Sequence, residues 1–121
     1  MYSLPQEIEV WYILPAIRRG MAEAFVRNHN MSYEKAGNIL GISKAAVSQY
    51  LSNKRATKVK LKEDVKREID KSAEIASKNP KKAIKEIQRI LKYMRDKKYA
   101  CEICKKYNPQ IKGVCEGEHS C

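Results

Sequence analysis

The sequence holds no apolar run longer than Val10–Leu14, five residues, against the roughly 20 that a membrane span needs. A membrane-spanning class is therefore excluded. It also lacks strand-length alternation, internal repeats and low-complexity runs, so nothing in it points to a sheet. No Ser/His/Asp or paired-carboxylate constellation appears, and no βαβ pattern seats a redox pair of cysteines. Enzyme activity is not expected. Past Met1-Tyr2-Ser3-Leu4-Pro5 come Glu7 and Glu9, where an export leader would carry positive charge and then an apolar stretch. The expected location is the cytoplasm.

What is present is a 121-residue chain, 43% hydrophobic and 32% charged, which is a globular composition rather than a disordered one. Its net charge is +11. Residues 1–60 contribute nine Lys/Arg against four Asp/Glu, residues 61–100 thirteen against seven, and residues 101–121 three against three. A basic surface attracts polyanions through counterion release, which makes nucleic acid a natural partner. A lysine-rich solvated surface, as in proteins from hot habitats, gives the same sum.

Ser3-Leu4-Pro5-Gln6 reads as a helix start, with Ser3 as the cap and Pro5 in the first turn. The helix that follows, over Ile8 to Val26, is expected to kink or divide at Pro15. Leu14, Ile17, Met21, Ala24 and Phe25 recur at helical spacing and should form one wall of the core. Trp11 and Tyr12 suit either core or a dimer contact, with core expected. Asn28-His29-Asn30 is a loop, and His29 a solvated residue of it.

Ser32 then caps a helix through Leu40, Gly41 makes a turn, and Ser43 caps a helix through about Ser52. Two helices joined this way need small residues where they cross and a left-handed turn between them. Ala36 and Gly37 supply the first, and Gly41 the second. At about 100° per residue, Ala46, Val47, Tyr50 and Leu51 share one arc of the second helix and belong to the core. Lys44, Ala45, Ser48, Gln49 and Ser52 share the other. Lys44 can donate to guanine, Gln49 can pair with adenine, and the Ala45 methyl can meet a thymine methyl. Ser43 with the free amides of a helix start suits a phosphate. Lys54, Arg55, Lys58 and Lys60 follow at once and should hold the backbone. The residues expected to meet DNA are thus Ser32, Tyr33, Ser43, Lys44, Ala45, Ser48, Gln49, Ser52, Lys54, Arg55 and Lys58.

Beyond a polar connector, Val65, Ile69, Ala73 and Ala76 stripe a helix over about Lys62 to Ser77. Asn79-Pro80 opens another. In it Ile84, Ile87, Leu91 and Met94 form a two-heptad seam that Ile90 widens. That seam can pack on the preceding helix or on a second copy of itself. A homodimer is the expectation.

Residues 31–55 resemble the lambda-repressor-like, or Xre-type, helix-turn-helix. The likeness extends to small archaeal transcription regulators in which a segment similar to Glu7-Ile8-Glu9-Val10-Trp11-Tyr12-Ile13-Leu14-Pro15-Ala16-Ile17-Arg18 comes before it. Their helix-turn-helix ends like Ala46-Val47-Ser48-Gln49-Tyr50-Leu51-Ser52-Asn53-Lys54-Arg55. The resemblance covers about half of the chain. It implies transcriptional regulation by a homodimer on a palindrome of double-stranded DNA, and cysteines near the C-terminus are common in the group. Relatives carry an alanine first at the helix crossing; Gly37 beside it departs from their pattern and is expected to weaken its helix.

All four cysteines, Cys101, Cys104, Cys115 and Cys121, fall in the neutral C-terminal stretch. Cys-x2-Cys chelates because two thiolates one turn apart reach one metal. Four thiolates would hold zinc or an iron–sulfur cluster, and the loose second pair, Cys115 and Cys121, suits a cluster somewhat better. Gly113 and Gly117 would let the chain fold around it, and His119 is a candidate replacement ligand. A thiol–disulfide switch and inert cysteines are the alternatives.

The expected architecture is all-α. It comprises a helix-turn-helix head (1–60), a helical dimerisation region (61–100) and a Cys-rich metal or redox tail (101–121). The competing function is an RNA-binding or translation-associated zinc protein, for which stacking aromatics would be needed, whereas Tyr50 is assigned to the core.

Overall fold

A computed structural model describes residues 5–53 and 59–107. Every element among them is helical, and six helices have eight residues or more. In chain order they are α1 (Pro5–Ile8), a π-helical turn (Glu9–Ile13), α2 (Leu14–Asn28), α3 (Tyr33–Leu40) and α4 (Lys44–Leu51). Then come α5 (Glu63–Lys78), a 3-10 turn (Pro80–Lys82), α6 (Ala83–Asp96) and α7 (Tyr99–Tyr107). No helix of the described residues is long and apolar enough to cross a membrane.

Pro15 divides the first helix by widening it rather than breaking it. Proline brings no N–H, and its ring crowds the carbonyl four residues back. The turn before it absorbs that clash: the Leu14 N–H reaches five residues back to the Glu9 carbonyl. The extra residue rotates the faces. Ile8 and Ile13 turn inward at 2% and 1% exposure, while Trp11, expected in the core, stands 53% exposed beside Val10. Pattern counting at 3.6 residues per turn does not register a wider turn.

One hydrophobic cluster runs from Ile13 to Ala100. Ile17, Met21 and Phe25 of α2 are its centre; Val47 of α4, Val65 and Ile69 of α5 and Ile90 of α6 close on them. The expected stripe of α5 is buried throughout, at Val65, Ile69, Ala73 and Ala76. On α6 the packed line differs from the expected seam. Ile84 is 71% exposed, and the buried or half-buried line is Ala83, Ile87, Ile90 and Met94. A residue as small as Ala83 brings α6 close to its neighbours and sets that line, which a search for large apolar side chains passes over. Asn79 starts the 3-10 turn through its carbonyl, which accepts from the Lys82 N–H at 3.0 Å, and not through its side chain. The capping role expected of Ser3 falls outside the described residues.

The stretch from 101 was expected to be a tail, yet its first residues belong to α7. Lys98 takes φ +65° to end α6, and α7 packs back on α6, α1 and the π turn. Ala100 and Cys101 are buried there, at 6% and 8%.

Polar side chains join these helices across long sequence distances. Glu9, 5% exposed, accepts two 2.7 Å hydrogen bonds from Arg95 Nε and Nη2. Arg89 donates to Glu86 Oε1 at 3.0 Å, Glu68 Oε1 at 2.6 Å and Ser72 Oγ at 2.7 Å. Ser72 in turn donates to Glu86 at 2.8 Å, so α5 and α6 share one network. Hydrogen bonding to Arg89, then to Lys71, holds the Glu68 carboxyl below its usual range.

Asp64, at the start of α5, accepts from Tyr93 of α6 at 2.7 Å and from Tyr99 of α7 at 2.9 Å, both on Oδ2. The Tyr93 hydrogen bond chiefly holds the Asp64 carboxyl low, burial opposes it, and the Tyr99 bond adds to it. The same contact, with burial second, pushes Tyr93 up to about 12. The hydrogen bond to Asp64 also raises Tyr99.

These shifts set a pH window. A tyrosine held above its ordinary value of 10.0 contributes stability in full below pH 10.0 and loses it as pH climbs through about 12. Asp64, held below its ordinary 3.8, contributes above that pH and loses it as pH falls through its lowered value. Titration of phenolate ultraviolet absorbance should therefore find at least one tyrosine ionising near 12. Asp64→Asn should return it toward 10.0. An unchanged high-pH limb in that variant would refute the contact.

Candidate nucleic-acid interface

The α3–turn–α4 unit is built from two serine caps and two glycines. Ser32, extended at φ −68° and ψ 159°, accepts the Lys35 N–H on Oγ at 3.1 Å. Ser43, at φ −75° and ψ 157°, accepts the Ala46 N–H at 3.0 Å. Each cap satisfies one of the orphan amides at a helix start. Both helices begin where the serine spacing placed them.

Gly41 ends α3 at φ +71° and ψ 32°, a left-handed conformation that a side chain disfavours. Its N–H and the Ile42 N–H both point to the Gly37 carbonyl, the latter at 2.9 Å. Gly37, expected only to weaken its helix, has a steric reason here. A Cβ at that position would lie 2.6 Å from the Ile42 carbonyl oxygen. The obstacle is backbone, which cannot swing aside. Gly37 thus lets the turn close onto α3, and this sets the direction in which α4 leaves.

The packing of α4 fixes its rotation. Val47 is fully buried, Tyr50 4% exposed and Ala46 5%, with Leu51 partly buried, against α2 and α3. Lys44, Ala45, Ser48, Gln49 and Ser52 are exposed on the opposite arc. Ser32, Ser43 and Tyr33 are exposed at the starts of the two helices. The outer arc therefore has one long cation, one amide and otherwise small side chains. The Ser43 Oγ is used as an acceptor by the Ala46 amide, which leaves its hydroxyl hydrogen available. Ser52 turns back and donates to the Gln49 carbonyl at 3.3 Å. Lys54, Arg55 and Lys58 lie outside the described residues; Lys60, beyond them, is exposed.

Two residues that the sequence reading passed over hold the far end of α4. Asn53 takes φ +61° just past the helix, and its Oδ1 accepts from Arg19 Nη2 of α2. Arg19 also pairs with Glu23 at 2.9 Å. Asparagine is the commonest non-glycine residue in this left-handed position, and that was the available signal. Across residues 32–53 the one carboxylate is Glu34. A duplex meeting the outer arc would find small polar groups, helix-start amides and few negative charges.

Of the cysteines expected to bind metal, Cys101 is buried on α7 and disulfide-bonded. Cys115, Cys121 and His119, with the Cys104 side chain, lie outside the described residues. Among the described residues no group of three or more His, Cys, Asp or Glu could hold a metal ion.

No protein-family model, no curated protein and no solved structure matches this chain.

The two glycines should fail differently. Gly37→Ala forces backbone apart and should destabilise by about 2–3 kcal/mol, in the range of overpacked sites. Gly41→Ala meets nothing within 4 Å and carries only the left-handed strain, about 1 kcal/mol. Denaturant unfolding of the two variants decides it. A Gly37→Ala protein as stable as the parent would refute the close approach.

Proposed function

We propose that the chain is a sequence-specific, double-stranded-DNA-binding transcription regulator of the lambda-repressor-like, Xre type, acting as a homodimer in the cytoplasm. One observation carries this reading. The outer arc of α4, from Lys44 through Ser52, is free while Val47 and Tyr50 on its other side are sunk in the core. A recognition helix needs both: an anchored side for a fixed docking angle and an unobstructed side of small residues for close approach to base edges. In this reading Lys44 and Gln49 read bases, Ala45 meets a thymine methyl, and Ser48 and Ser52 line the groove. Ser32, Tyr33 and Ser43 face phosphates, joined by Lys54, Arg55 and Lys58 of the connector.

In this reading the dimer contact keeps three of the four expected seam residues. Ile90 and Met94 are used within the chain, which leaves Ile84 with the half-buried Ile87 and Leu91. Trp11 and Val10, both more than half exposed, offer the alternative contact foreseen for Trp11. On a palindrome the two α4 helices of such a dimer must reach half-sites about 34–36 Å apart.

Selection from random duplex pools should yield a palindrome, and Lys44→Ala/Gln49→Ala should weaken binding to it about 30-fold or more. Competition with RNA of matched length discriminates the alternative partner. If the double variant keeps its affinity, or RNA displaces the duplex at equal concentration, the reading is wrong.

For the cysteines, four thiolates around zinc or an iron–sulfur cluster would be a state of the reduced chain, since Cys101 is in a disulfide here. The proposal is that the tail responds to metal or redox state. Protein purified without oxygen should then carry either stoichiometric zinc or broad visible absorbance. A metal-free, colourless sample would leave thiol–disulfide exchange as its chemistry.

A further inference from the structure

Three lysines at the start of α6 stand where the helix itself disfavours them. Lys81 and Lys82 end the 3-10 turn that leads into α6, and Lys85 lies in its first turn. All three are exposed, and none has an ion pair among the described residues. Lys85 is three residues from Lys82 and four from Lys81, the two spacings at which side chains along a helix are neighbours. Like charges at these spacings repel, and the helix start already carries partial positive charge. The first turn holds one carboxylate, Glu86, and that group is committed to Arg89 at 3.0 Å and to Ser72 at 2.8 Å. The chain thus keeps an uncompensated triad whose charges cost it stability.

We infer that Lys81, Lys82 and Lys85 form a second polyanion contact whose partner is the phosphate backbone of duplex DNA. The inference rests on the DNA-binding reading above and adds a surface distinct from α4. A polyanion relieves both the mutual repulsion and the unfavourable dipole, and counterion release adds to the gain. An anionic lipid surface would need a broad apolar helix face to bury. On α6, Ala83, Ile90 and Met94 are buried inside the chain, and Ile84, 71% exposed, is a single apolar side chain rather than such a face. Duplex is the polyanion already in reach.

The triad follows α5, whose 16 residues span about 24 Å. It stands at the opposite end of that helix from residues 59–62. The triad therefore meets a different stretch of phosphates from Lys60, in flanking DNA of the same molecule or on a second duplex.

The test is the full chain carrying Lys81→Gln, Lys82→Gln and Lys85→Gln together. Relief of repulsion should raise its melting temperature by about 2–5 °C. On a long duplex containing the selected site, the slope of log affinity against log salt should shrink by about 2–3, near 0.9 per lost phosphate contact. On a duplex trimmed to the site, affinity should stay within about twofold of the parent, because base readout is untouched. If the second stretch belongs to another duplex, co-capture of two differently labelled duplexes should also fall in the variant. An unchanged salt slope on long DNA overturns the proposal, as does a lower melting temperature with every binding arm reduced alike. Lys44→Ala/Gln49→Ala separates the two readings. If that variant keeps site-specific binding, the α4 reading fails, while a salt slope that still responds to the triad supports this one.

Discussion

The direction of α4 depends on a backbone contact. The Ile42 carbonyl lies where only a residue without a Cβ can stand, 2.6 Å from the side-chain position of Gly37, and the Ile42 N–H returns to the Gly37 carbonyl at 2.9 Å. Closing the turn this tightly lets α4 leave at an angle that puts Val47 and Tyr50 into the core. Because each residue turns the helix about 100°, a slip of one position would carry Gln49 toward the core and Tyr50 out. The exposed arc is therefore a consequence of the buried one. Whatever this arc binds, its geometry is set by a contact that includes no functional side chain.

Outside that unit, directional polar contacts govern how the helices are placed. Glu9 and Arg95 are 86 positions apart and meet through two 2.7 Å bonds, which fix the π turn against the end of α6. Apolar contact alone would let α6 slide or rotate against α5. The Arg89 guanidinium reaches Glu68 and Ser72 on α5 while holding Glu86 on its own helix. Its planar fork satisfies these partners in one orientation only. A partly buried ion pair such as this one adds little net stability, because its partners lose part of their hydration. Its larger effect here is selection of one register among several that would bury similar apolar area.

The parts of the fold legible in the sequence were those with a local cause. Ser32 and Ser43 marked helix starts because a hydroxyl three residues before an orphan amide is a sequence-local arrangement. The two faces of α4 and the stripe of α5 were legible because burial there follows the helical period. The exposure of Trp11 was not, since it depends on a π turn that shifts the register just before Pro15. Nor was the packed line of α6. Ile84 and Ala83 are neighbours, and whether the large or the small one faces inward is decided by how closely α5 approaches. The helix α7 was obscured by its cysteines and by the glycines further on, although Tyr99, Ala100 and Ile103 pack on the core cluster. Asn53 and Arg19 were legible in principle, one as a left-handed helix end and the other as a basic residue on α2, but their meeting is tertiary.

The net charge bears on what the molecule must do as well as on how it folds. The cations that hold the body together, among them Arg19, Arg89 and Arg95, are matched by carboxylates in contact with them. Such pairs add nothing to the charge of +11. Among the described residues the surplus resides on side chains without an ion pair, including Lys35 and Lys44 on the α3–α4 unit and Lys81, Lys82 and Lys85 at the start of α6. A solvated surface selected only for solubility would gain most from carboxylates interspersed among these lysines, because clustered like charges strain the free molecule. Leaving them clustered costs stability in the free state, a cost that a bound polyanion would return. The charge that the fold leaves unneutralised is thus the part of the sequence on which the proposed partner rests.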